Sequence, residues 1–85
     1  MAKSFGLKLV GPEGVLAEAE VESLVLPGAA GSLGVLAGHE PWTVLLKKGA
    51  VSYKGLNGVW QNIDIASGVA SIEPAKTIIL ADKAG

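Results

Sequence analysis

The chain reads as an all-β domain, an antiparallel sandwich or flattened barrel. Apolar residues recur at every second position, turn residues punctuate the sequence at intervals of roughly eight to twelve residues, and no stretch joins helical periodicity to an N-cap. At 85 residues it holds one domain near the lower size for an unstapled core, and two packed layers suit so short a chain. Aromatics are few (Phe5, Trp42, Tyr53, Trp60), so the core has to be built from Val, Leu, Ile and Ala.

The first strand follows from Phe5, Leu7 and Leu9 on one face with Lys8 on the other. Gly11, Pro12, Glu13 and Gly14 form a turn, after which Val15, Ala17, Ala19 and Val21 share a face opposite Glu18, Glu20 and Glu22. At Glu22 and Ser23 the phase slips, because Leu24 and Leu26 fall on the parity of the glutamates. A β-bulge there returns both leucines to the core and turns Val25 outward, either onto an exposed patch or into a second packed layer. Residues 26–41, LPGAAGSLGVLAGHEP, read as a long glycine-rich loop. Strands then follow at 42–46, 51–54, 59–65, 69–72 and 77–80, divided by KKG, GLNG, ASG and EPAK.

Composition excludes several classes. Without cysteine there is no disulfide framework or zinc-thiolate site, which suits a reducing compartment. Formal charge is -1 and every basic residue is lysine, so the bidentate arginine contacts that favour nucleic acid are missing. No apolar run is long enough to span a bilayer, and the N-terminus lacks the apolar core of a signal peptide, so no direct membrane insertion is expected.

Four chemical readings fail on context. AGSLG at 30–34 approximates a nucleophile elbow, with Ser32 followed by His39, but the strand, sharp turn and helix beneath the serine and the orienting acid are missing. Gly28, Gly31 and Gly34 have neither dinucleotide-fingerprint spacing nor the lysine of a Walker loop; they serve tight turns instead. His39 has no second ligand at metal spacing. Lys83, in LADKAG, resembles a carrier-domain lysine yet stands too close to the end for a hairpin tip. No catalytic residue, metal or cofactor is therefore expected. The small and apolar residues of 26–41 suit contact with another protein, since small side chains let a backbone approach and lose little entropy on docking.

Those residues also carry a resemblance. EVESLVLPG at 20–28, a glycine-rich turn, LGVLAGHEP at 33–41, Lys47 and Gly49 at matching spacing, and ASGVASIEPAKTIILAD at 66–82 are together similar to the N-terminal β domain of the epsilon subunit of rotary, F-type ATP synthases. The resemblance implies a flattened ten-stranded β-sandwich and a non-catalytic rotor part. That part binds the foot of the gamma subunit and rests on the polar loops of the c-subunit ring, coupling proton- or sodium-driven rotation to ATP synthesis. It implies ring contact at Gly28, Ala29, Ala30, Gly31, Ser32 and Leu33, and gamma contact at Gly11, Pro12, Glu13 and His39. A peripheral place at the cytoplasmic face of a bacterial inner membrane follows, since no transit peptide is present.

Three departures from the family pattern stand out. Ala29, Ala30 and Ser32 replace acidic residues usual in the first turn, which weakens ionic attraction to basic ring loops. Val69 follows Gly68 where a second glycine is usual, an expected change in a turn. The sequence stops at Gly85, where most members continue into an inhibitory helical hairpin, so the expectation is a coupling domain without that inhibition. The rival reading is a free-standing ligand-binding or scaffold β-domain, whose only aromatic-polar cluster is Tyr53, Trp60, Asn62 and Asp64 on shared strand faces.

Overall fold

A computed structural model describes residues 3–83. Alternating apolar runs between glycine-bearing turns give seven strands among these residues: β1 (Phe5–Gly11), β2 (Gly14–Gly28), β3 (Gly31–Val35), β4 (Trp42–Leu46), β5 (Gly49–Gly55), β6 (Trp60–Ile72) and β7 (Lys76–Lys83). β1 pairs with β2 and β7, β7 with β6, β6 with β5, and β5 with β2, which closes a flattened barrel. β3 hangs on the second half of β2, and β4 on the second half of β6.

The all-β class holds, with two differences in detail. There are seven strands rather than ten, because β2 and β6 run 15 and 13 residues and each serves two sets of neighbours. The sheet is mixed rather than purely antiparallel, since β1 and β7 pair in parallel from Gly6↔Lys76 to Val10↔Leu80. That pairing joins the two ends of the chain and closes the barrel, which removes the free edges both strands would otherwise present.

The inward faces meet in one core: Phe5, Leu7 and Leu9 of β1, Val21, Leu24 and Leu26 of β2, and Val35, Leu46, Val51, Ile65, Ala70, Ile72, Ile79 and Ala81. Each leucine so buried contributes about 1.5–3 kcal/mol of transfer free energy. Thr77 is also buried, between Leu7 and Ile72, and its hydroxyl has no hydrogen-bond partner.

Three irregularities set which residues face that core. The expected bulge lies at Glu22: Val21 opposes Gly55 while Ser23 opposes Lys54, and Leu24 and Leu26 return inside. A second shift opposes Leu9 to Ala17 and Val10 to Val15, so Leu16 packs against the core and Val15 points out, contrary to the simple alternation. A third, at Ala66, opposes Ile65 to Lys83 and Ser67 to Asp82. This bulge, rather than a turn, is what ASG encodes, so residues 60–72 form one strand. Gly68 lies within that strand because a Cβ there would sit 2.7 Å from the Leu80 carbonyl oxygen.

Candidate protein-docking site

The stretch 26–41 is less a loop than a hairpin followed by a turn. Gly28 opposes Gly31, leaving Ala29 and Ala30 as the two-residue tip, and Gly31 to Val35 continue as β3. Neither alanine has a positive φ; Gly31, at φ +140°, absorbs the unusual backbone conformation instead. Gly28 has a separate reason to lack a side chain, since a Cβ would lie 2.5 Å from the Gly31 carbonyl oxygen. The hairpin is tied to β4 by the Ala29 N–H donating to Leu45 O and the Lys47 N–H donating to Pro27 O, each at 2.9 Å. Gly49 completes the clamp, for a Cβ on it would meet the Pro27 ring at 2.8 Å.

Those bonds fix the open edge. Pro27 and Ala29 direct their backbone groups to β4, so the strand alternation gives β3 the groups of Leu24, Leu26 and Gly28. Ser32 and Gly34 then direct their N–H and C=O groups away from β2, along an edge that no described strand covers. Between hairpin and β4 lies an open groove of about 430 Å³, lined by Gly28 to Leu33 and by Trp42 to Leu45. Trp42 is 54% exposed and Leu45 68%, and the hairpin itself carries no charge. The six residues expected to meet a ring are thus brought together; Trp42 and Leu45, which complete their groove, read in the sequence only as parts of a strand.

The residues expected to meet gamma divide between two ends of the barrel. Gly11 and Pro12 stand beside Ser67, Gly68, Ala81 and Asp82, and Gly68 opposes Leu46, so the turn that Glu13 completes and the hairpin share one end. His39 lies at the other end of β4, four residue steps or roughly 13 Å along the strand. There Gly38, at φ +83°, donates its N–H to Pro74 O at 2.9 Å, and the His39 N–H closes a turn on Leu36 O at 3.2 Å. The imidazole stacks offset on Trp42, with planes 3° apart and centroids at 6.2 Å. Its Nδ1 is 2.8 Å from the Glu40 carbonyl oxygen, which only accepts, so Nδ1 carries the proton.

Other sequence expectations resolve differently. Ser32 and His39 are not brought together, being separated by the length of β3 and the turn after it. Lys83 is the last residue of β7, opposite Ile65, not a hairpin tip. Tyr53 packs against the core opposite Gln61, whereas Trp60, Asn62 and Asp64 face outward, so the aromatic-polar cluster is split across the sheet. Val25 does face outward, but Gly34 and Ser52 flank it and no apolar patch forms there. Among the described residues no group of three His, Cys, Asp or Glu side chains is placed to hold a metal ion, and no helix is long and apolar enough to cross a membrane.

Residues 4–85 match the family described as ATP synthase, Delta/Epsilon chain, beta-sandwich domain. The chain belongs to this family. It is 39% identical over 84 residues to an ATP synthase epsilon chain of Mesorhizobium japonicum, covering 99% of this chain and 62% of that one. An ATP synthase epsilon chain of Brucella canis is 38% identical with the same coverage. The chain thus spans less than two thirds of these relatives. Its fold is similar to a chain in the Euglena gracilis mitochondrial ATP synthase OSCP/F1/c-ring structure, with TM-score 0.89, 23% identity, and coverage of 96% of this chain and 52% of that one. It is similar also to a chain in the Tetrahymena thermophila mitochondrial ATP synthase central stalk/c-ring structure, with TM-score 0.76, 11% identity, and coverage of 95% and 65%.

Proposed function

We propose that the chain acts as a non-catalytic rotor domain of an F-type ATP synthase, joining the gamma subunit to the c-subunit ring so that ion-driven ring rotation reaches the site of ATP synthesis. It would sit peripherally on the membrane-embedded ring, at the cytoplasmic face in a bacterium. The observation that carries this reading is the hairpin Gly28–Gly31: a short, clamped, uncharged tip beside an apolar groove, held at one end of a closed barrel. A part that transmits torque must not yield, and a tip fixed by two backbone bonds to β4 and by close glycine packing meets that demand. Family membership supplies the second support.

In this reading Gly28 to Leu33 rest on the ring, while Gly11, Pro12, Glu13 and His39 face gamma. The test is capture of purified gamma subunit, and separately of the assembled ring with gamma, by the folded chain. Gly31→Trp at the tip should weaken retention by the ring assembly and spare gamma alone, whereas His39→Ala should weaken gamma capture. A folded chain that captures neither would overturn the proposal.

A further inference from the structure

The turn between β5 and β6 carries a reactive pair. Asn57 is followed by Gly58, whereas the chain's second asparagine, Asn62, is followed by Ile63. An asparagine before glycine is prone to self-attack, because glycine has no side chain to keep its backbone nitrogen from the neighbouring carboxamide. Residues 56–60 are all exposed, so solvent reaches the pair. The turn nevertheless holds both reacting groups. The Gly58 N–H, which must lose its proton before the nitrogen can attack, donates to Gly55 O at 2.9 Å. The Asn57 Oδ1 accepts from the Val59 N–H at 3.0 Å, which fixes the carboxamide, and the Gly55 N–H donates to Val59 O at 3.1 Å beneath it. Gly55 to Gly58 thus form a type I turn, with no positive φ at Leu56 or Asn57, and Gly58 at φ +79° leads the chain back into strand.

We propose that Asn57–Gly58 is a latent modification site, at which the chain deamidates itself when this turn opens and is protected while it is closed. In the open turn the Gly58 nitrogen, having given its proton to solvent, attacks Asn57 Cγ. The N–Cγ bond forms, the carboxamide nitrogen takes up a proton and leaves as ammonia, and a five-membered succinimide results. Water then adds to either ring carbonyl and restores the chain as aspartate or isoaspartate, with no change of oxidation state. Aspartate keeps an oxygen for the Val59 N–H and leaves the turn intact, whereas isoaspartate inserts a methylene into the main chain and disturbs the pairing of Lys54 with Trp60. Opening requires only the tip to fray. Leu56 is 60% exposed and Val59 50%, so little apolar packing opposes it, while Val51 and Ile65 further along the same hairpin are buried. Asn62 meets neither condition: branched Ile63 crowds the nitrogen after it, and its Oδ1 accepts from Ser52 Oγ at 2.6 Å within the paired strands.

The experiment incubates the whole chain at mildly alkaline pH, folded in buffer and unfolded in guanidinium chloride, and follows conversion of each asparagine by peptide mass analysis. Asn57 should convert and Asn62 should not, with the folded chain slower by about tenfold or more, since the hydrogen bonds of the turn break only in a minor open population. Hydroxylamine should split the unfolded chain after Asn57, the mark of the ring intermediate. Leu56 holds the second position of the turn, where the fixed φ of proline fits. Leu56→Pro should therefore slow conversion of the folded chain by a further factor of about three, relative to its own unfolded rate. Asn57→Asp should melt as wild type does, because the oxygen that accepts from Val59 remains. Equal rates in the folded and unfolded chain, or a folded-state rate that Leu56→Pro leaves unchanged, would overturn protection by the turn. Conversion at Asn62 before Asn57, or none at Asn57 in the unfolded chain, would overturn the site itself.

Discussion

Thr77 offers the most direct check on the energetics of the core. Its side chain is 0% exposed, between Leu7 of β1 and Ile72 of β6, and its hydroxyl makes no hydrogen bond. An unpaired buried hydroxyl costs about 1–3 kcal/mol. Thr77→Val exchanges that hydroxyl for a methyl of nearly the same shape and keeps a β-branched residue suited to a strand. Taking the low end of the range, the variant should gain about 1 kcal/mol, which for a domain of this length raises Tm by roughly 4–8 °C. Thr77→Ser keeps the orphan hydroxyl and loses the methyl, so it should fall below wild type by about 1 kcal/mol. Thermal and urea melts of the three proteins provide the assay. A valine variant that melts below wild type would refute the reasoning, since it would mean that the hydroxyl is bonded in solution.

Further outcomes follow from close approaches and surface charges. Gly68→Ala should lose about 1–3 kcal/mol, because its Cβ meets the Leu80 carbonyl oxygen and Ala81; Gly34→Ala, with nothing within 4 Å, should melt within about 1 kcal/mol of wild type. Gly28→Ala should open the hairpin tip, visible as faster amide exchange at Gly31 and at Ala29, whose N–H holds Leu45. The Lys54–Glu22 pair, 3.6 Å apart and partly exposed, should be worth under about 1 kcal/mol, so Lys54→Ala should shift a urea midpoint only slightly and least at high salt.

Much of the barrel is legible in the sequence where large apolar residues alternate. Phe5, Leu7 and Leu9 mark β1 without ambiguity, and the parity slip between Val21 and Leu24 marks the bulge. Legibility ends where small residues replace large ones: in Gly31–Val35 only Leu33 and Val35 carry the alternation, and the glycines between them read as loop. Ala66–Ser67–Gly68 has turn composition but is held extended by pairing with β7, a long-range effect with no local mark. The parallel pairing of β1 with β7 is likewise set by barrel closure. For the docking site, the hairpin tip and the first turn are readable as punctuation, but the groove that Trp42 and Leu45 complete is not.

The measurement that tests the account most directly is sedimentation of the folded chain with an equimolar amount of purified gamma subunit. The expected result is a single one-to-one complex at micromolar concentration that is weakened when His39 is changed to alanine. Two species sedimenting independently at that concentration, with the chain shown to be folded by its melt, would contradict it.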